Sequence, residues 1–318
     1  MLQYLIILLD DTSASYCHYE SYKERRKLIP LEILRQGIRF GMRENLMIQY
    51  VYPDYELPAE YSEVVESIDH SKIKPASPLT PLLGEGSNYA DVWVTESIKD
   101  IKAEMPVVWR TNKQLFFNSE ADIIQTLENV PRLNVVLTDV GTFNNDDFEK
   151  YKQLLMTLAK YIEKMYVEGK APQLNLLTDR IMLSKMNNCG AGDTTITLAP
   201  NGKFYVCPAF YYEDEADSVG DLEHGLDIKN KQLYKLEYAP ICRHCDAYQC
   251  KRCIWLNRKT TLEVNTPSHE QCVLAHLERN ASRELLNNIR KHGTFLPEQE
   301  EITKIDYLDP IEKRDKWQ

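Results

Sequence analysis

Seven of the eight cysteines of this 318-residue chain, at positions 189, 207, 242, 245, 250, 253 and 272, crowd into 84 consecutive positions, and only Cys17 stands apart. Few features constrain a fold more. Eight cysteines are too sparse for a disulfide scaffold, and in a reducing compartment clustered thiols serve as metal ligands or catalytic groups. The N-terminus agrees with such a compartment. Its apolar run, Leu2 to Leu9 interrupted by Gln3 and Tyr4, falls short of the roughly 20 residues of a membrane helix. The acidic pair Asp10 and Asp11 follows in place of a small-residue cleavage site, and no basic stretch precedes it. A cytoplasmic location, without a membrane partner, is the expectation.

Within the cluster, Cys242-x2-Cys245-x4-Cys250-x2-Cys253 is two close pairs. The turn inside each pair can bring both thiolates onto one metal or cluster. Cys189 and Cys207 flank an expected hairpin: Thr194 to Leu198 outward, Pro200-Asn201-Gly202-Lys203 as the turn, Phe204 to Cys207 returning. Cys272 closes the set from downstream. One member outside the pairs would pass as a buried core cysteine; the whole set would not. Spacing alone leaves iron–sulfur clusters and zinc both open, since soft thiolates suit either metal.

The first half alternates strand-like and helix-like segments. Tyr4 to Leu9, Leu46 to Tyr52, Asp91 to Thr95, Val107 to Arg110, Leu133 to Thr138 and Gln173 to Leu177 read as strands. Pro30 to Glu44, Glu60 to Ile68, Ser119 to Glu128 and Asp146 to Glu168 read as helices. That alternation predicts an α/β fold with a parallel sheet, either open or curved into a partial barrel. The proline- and glycine-bearing stretch from Ser71 to Asn88 reads as an irregular loop, a potential lid. A boundary is expected near residue 185. An amphipathic helix from Leu274 to His292 and a mobile acidic end from Pro297 to Gln318 complete the chain. With 48 acidic against 38 basic residues, the formal net charge of −10 argues against a phosphate-binding surface, so nucleic acid is not an expected partner.

The order Cys189, Gly202-x4-Cys207, Val219-Gly220-Asp221-Leu222, Cys242-x2-Cys245-x4-Cys250-x2-Cys253 and Cys272 resembles the SPASM domain. That domain is the auxiliary iron–sulfur module of radical SAM enzymes that modify ribosomally made peptides. The gaps before Cys250 and Cys253 are one residue shorter than its commonest spacing. Carried over by position, the resemblance implies two 4Fe-4S clusters. Cys242, Cys245, Cys250 and Cys272 would hold one, and Cys189, Cys207 and Cys253 the other, leaving one iron of the second open to a substrate thiolate, another residue or water.

A radical SAM enzyme also needs C-x3-C-x2-C after its first strand. Here the aligned positions are Asp10, Ala14 and Cys17, or alternatively Cys17, Ser21 and Glu24. The glycine-rich turn after the second strand is replaced by Tyr52-Pro53-Asp54-Tyr55. SAM is therefore not expected as a cofactor. Cys17 and Asp10 are the weak catalytic candidates: a low-pKa thiol needs a basic neighbour and only His18 adjoins it, and Asp10 with Asp11 sits where strand-end loops carry ligands, although a solvated pair is the plainer reading. His244, inside the cysteine knuckle, either hydrogen-bonds a sulfur and tunes the cluster or simply faces water.

Ser15-Tyr16-Cys17-His18-Tyr19, together with the cysteine domain, is similar to the CXXX repeat peptide maturase family. That resemblance implies a degenerate radical SAM-like domain over residues 1–185, a SPASM-like iron–sulfur domain over 186–295 and an acidic tail over 296–318. It further implies maturation of a cysteine-rich precursor peptide beside a radical SAM partner. The other reading is a non-enzymatic peptide-binding adaptor whose zinc or iron–sulfur sites only hold the fold.

Overall fold

The structure is a computed structural model, and it describes residues 1–22, 24–76 and 89–310. By packing, the chain divides into two units, Met1–Thr95 with Gly190–Tyr238, and Glu96–Cys189 with Ala239–Gln318.

The first unit is built on β1 (Tyr4–Leu8), a strand of near-continuous apolar residues buried on both faces, as interior strands of parallel sheets are. Parallel partners flank it, β2 (Met47–Val51) on one side and β7 (Thr195–Leu198) on the other. β2 continues in parallel to β3 (Ser71–Pro75), and β3 to β4 (Val92–Thr95). The register aligns Leu5 with Ile48 and Ile196, and Ile7 with Tyr50 and Leu198, so one face of the sheet is a continuous apolar layer. Against it lies α1 (Leu31–Arg43), whose Leu34 and Ile38 join the same core with Phe204. Each fully buried Leu or Ile there contributes about 1.5–3 kcal/mol. Gly37 permits the contact. A Cβ at that position would stand 2.4 Å from a Leu198 methyl. The expected hairpin forms, β7 pairing antiparallel with β8 (Phe204–Tyr205) around Gly202, whose φ of +81° needs a glycine. α2 (Ala59–Val65) follows β2, and α7 (Pro208–Glu213) follows β8.

In the second unit β5 (Val107–Thr111) and β6 (Leu133–Leu137) pair in parallel, with α3 (Lys113–Asn118) and α4 (Glu120–Asn129) between them in sequence. α5 (Asn145–Val167) opens on a reciprocal capping box between Asn144 and Asp147. It packs along α9 (His269–Lys291), and α6 (Thr178–Met182) also meets α9, with Ser282 Oγ donating to the Leu177 carbonyl at 2.7 Å. α8 (Ile254–Thr261) precedes α9. The architecture is therefore mixed α/β, and every defined strand pairing among β1 to β7 is parallel.

Several segments depart from expectation for physical reasons. Ser71 to Pro75 is the strand β3 rather than loop, because Pro75 sits at its end, where no ladder hydrogen bond is lost; residues 77–88 of that loop lie outside the described residues. Gln173 to Leu177 forms only a single bridge, Leu133 with Leu174. The Asn175 side chain takes the place of a strand beside β6, accepting from Val135 N at 2.8 Å and donating to Val135 O at 3.0 Å. The last helix starts at His269, capped by Ser268, five residues earlier than its apolar stripe suggests. Residues 297–310, expected to be mobile, are tethered. Ile302 and Asp309 are 1% and 4% exposed, and Arg290 donates to the carbonyls of Phe295, Leu296 and Gln299.

Candidate metal centre

Cys242 begins a short 3-10 turn that closes the first pair, Cys245 N donating to Cys242 O at 3.1 Å, and a second turn leads into the other pair, Cys250 N donating to Ala247 O at 3.0 Å. Cys272 comes to the knuckle from the first turn of α9. The four thiols lie near enough to feel one another's charge. Ionising Cys245 would raise the pKa of Cys242, Cys242 and Cys245 act likewise on Cys250, and all three act on Cys272. Burial is the larger cause, pushing Cys242 up to about 11 and Cys250 up to about 12, and raising Cys272 further. Burial also raises Cys245, but there the Ala247 N–H, Arg279 and Arg180 oppose it.

Two groups address the Cys245 sulfur. Ala247 N donates to its Sγ at 3.5 Å, and His276 Nε2 lies 3.5 Å from the same atom. His244 is exposed, the second of its two sequence readings, and the histidine at a sulfur is His276, four residues after Cys272 on one face of α9. Beside them Asp246 is clamped by Arg279, Nε to Oδ1 at 2.7 Å, and approached by Arg180 at 3.5 Å, which also lies 4.3 Å over the Tyr248 ring. Arg279 is fully buried. At Cys245 the two guanidiniums offset Asp246 and part of the burial that holds the sulfur as a thiol. Gln249, inside the knuckle, donates to the Ala275 carbonyl at 2.7 Å and to Glu278 Oε2 at 3.1 Å. Tyr151 OH donates to the other oxygen of Glu278 at 2.7 Å. Burial lifts that carboxyl to about 7. Sequence reasoning named none of Arg180, Arg279, Glu278 and Tyr151, since nothing local marks partners so distant in the chain.

Cys189 and Cys253 belong to the same unit and Cys207 to the other. Cys189 is exposed, and the segment leading to it is held by Asn187 N donating to Tyr248 O at 3.0 Å. Cys253 caps α8, accepting from Leu256 N at 3.5 Å, and Cys207 precedes α7. Among the described residues, no three His, Cys, Asp or Glu side chains gather as a site for a single metal ion. The donor chemistry at Cys242, Cys245, Cys250 and Cys272 nevertheless fits a thiolate-held group: four soft ligands, two buried and two half-buried, that feel one another's charge, with a backbone N–H donating to the Cys245 sulfur.

The strand-end loop offers no such fit. Asp10 and Asp11, expected in solvent, are both wholly buried. Asp10 accepts from Thr12 N and Oγ1 at 2.8 and 2.6 Å and from Tyr55 OH at 2.8 Å, so the tyrosine that replaces a glycine-rich turn ties up the candidate carboxylate. Asp11 accepts from Tyr211 OH at 2.5 Å and pairs with Arg25 Nε at 2.8 Å. Burial raises its carboxyl above the ordinary value against the pull of Tyr211 and Arg25. Ala14 carries no donor atom. Cys17 is half-buried between Tyr16 and Tyr19, the latter stacked on Tyr212 at 5.3 Å. Neither aligned triplet assembles three soft ligands. No helix among the described residues is long and apolar enough to cross a membrane.

No protein-family model matches the chain, and no curated protein matches it. Solved structures do. "Native anSMEcpe with bound AdoMet and Cp18Cys peptide" superposes with a TM-score of 0.62 at 11% identity, covering 92% of this chain and 100% of that one. "Native anSMEcpe with bound AdoMet" gives a TM-score of 0.60 at 13% identity over 91% and 99% of the two chains. At these identities the likeness is one of fold. The chain has the mixed α/β architecture with parallel strands that its alternating segments led one to expect, and shares that fold with these structures.

Proposed function

We propose that this chain takes part in maturing a ribosomally made, cysteine-repeat peptide, holding two 4Fe-4S clusters and acting beside a radical SAM partner. One observation carries the reading: Cys242, Cys245, Cys250 and Cys272 share one electrostatic neighbourhood in a fold like that of a protein solved with AdoMet and a peptide. Residues 1–185 would form the degenerate radical SAM-like domain, 186–295 the SPASM-like one and 296–318 the tail. Those four thiolates would hold one cluster, and Cys189, Cys207 and Cys253 the other. A cluster short of one protein ligand offers a coordination site to a substrate thiolate, and holding that thiolate in place is a proximity contribution. The chain's own residues orient and charge the site: Ala247 N–H and His276 address Cys245, while Arg180 and Arg279 supply positive charge. The buried commitments of Asp10 and the bare Ala14 support assigning SAM cleavage to the partner.

Anaerobic purification with iron, zinc and sulfide analysis tests this. About eight iron and eight sulfide per chain are expected, with a Cys245→Ala variant losing about half. About two zinc and no sulfide would favour the non-enzymatic adaptor. A second reading, that the chain itself uses SAM through Cys17 and non-cysteine ligands, draws on the AdoMet bound in both solved neighbours. Release of 5′-deoxyadenosine by the reduced protein alone would establish it and displace the partner from the scheme.

A further inference from the structure

His269, Cys272, His276 and Arg279 lie at intervals of three and four residues, so they form one stripe along α9. The segment from residue 296 to 310 runs over that stripe without regular secondary structure of its own. Asp309 Oδ2 lies 2.5 Å from His269 Nδ1, the Tyr307 ring meets His276 edge-on at 5.9 Å, and Arg279 donates to Thr303 Oγ1 at 3.2 Å. Ile302, 1% exposed, anchors the middle of the run, while Glu301, Thr303, Lys304 and Asp306 remain exposed. Each cover contact falls on a helix residue within four positions of Cys272 or of His276, which addresses Cys245. Beneath the segment Cys272 is 8% exposed and His276 3% exposed.

We propose that residues 296–310 form a strap that closes the Cys272 side of the thiol site and controls access of solvent and reagents to its sulfurs. A segment with few buried side chains and no backbone ladder opens locally at far lower cost than the unit unfolds. The strap therefore admits small reactants without loss of the fold. It is a working part of the site rather than a solvated tail. The inference deepens the metal-site reading, and its second readout stands without any metal.

The test compares wild type with Asp309→Asn and Tyr307→Ala, each as the full chain. In protein isolated anaerobically, metal transfer to a chromogenic chelator is timed. In metal-free protein, N-ethylmaleimide labelling of Cys272 is followed by peptide mass spectrometry, with exposed Cys189 as the internal reference. Losing one part-buried hydrogen bond should speed both metal release and Cys272 labelling about tenfold in Asp309→Asn, and Cys189 should be unchanged. Labelling should be flat in low urea, as local opening is. If Cys272 reacts at the wild-type rate in both variants, or if its labelling climbs steeply with low urea as global unfolding does, the strap is refuted. If none of the proteins carries metal, the cluster reading fails, and the labelling rates alone decide the strap.

Discussion

Glu278 shows what a single buried side chain does to the pH dependence of the fold. Its carboxyl is met by two neutral donors, Tyr151 OH and Gln249 Nε2, and burial raises it from 4.5 to about 7. Between those values the folded chain binds a proton that the unfolded chain has released, so this residue makes stability fall as pH rises through the window. Glu278→Gln keeps the shape and removes the titration. It should leave stability at pH 5 nearly unchanged, raise it at pH 8 by up to about 3 kcal/mol, and flatten the profile between; urea unfolding at several pH values measures this. A variant whose pH profile matches wild type would show that the carboxyl is already solvated. The pairing was not legible in the sequence, because Tyr151 and Glu278 lie 127 residues apart. His276 was legible in principle. It follows Cys272 by four positions, so helical spacing puts it on the same face of α9 as that cysteine, where it reaches the Cys245 sulfur.

At the scale of elements, α9 carries the site and its cap sets where it begins. Ser268 accepts from Gln271 N at 3.4 Å, and Cys272 lies in the turn that this cap organises. Ser268→Ala should cost about 1 kcal/mol of stability, and fraying of the first turn should lower metal retention with it; thermal melts beside iron analysis read both. Strands with clear β-rich runs, such as Leu133 to Leu137, and helices with long apolar stripes, such as that around Leu155, Leu158 and Ile162, were readable from period alone. Elements that lean on their neighbours were not. β3 has one buried apolar residue, Ile73, and owes its strand to pairing with β2 and β4, while Asn175 mimics a strand with a side chain that no propensity scale anticipates. Gly37 belongs to the same lesson. Gly37→Val should destabilise the first unit by about 1–3 kcal/mol through overpacking against Leu198, measured by urea unfolding.

For the whole molecule, each unit is assembled from two separated stretches of chain, so a boundary drawn once along the sequence describes composition better than packing. The clustering of seven cysteines was visible in the sequence; the burial that governs their chemistry was not. That burial sets a final test of whether the thiols are ligands. In the metal-free protein, Cys242 is raised from 9.0 to about 11 and Cys250 to about 12. A thiol whose pKa is higher folded than unfolded contributes stability that is fully present below pH 9 and lost as pH rises toward the folded values. Metal-free protein should therefore show a Tm that falls between about pH 9 and pH 11. Metal loading replaces those protons, and its apparent affinity should rise at least about tenfold per pH unit from pH 6.5 to 8.5, read by chelator competition. Loaded protein has no such thiol protons left to lose, so its Tm should stay flat where the metal-free form declines. Ordinary core cysteines would give the same falling Tm with and without added metal, because nothing would take the place of their protons.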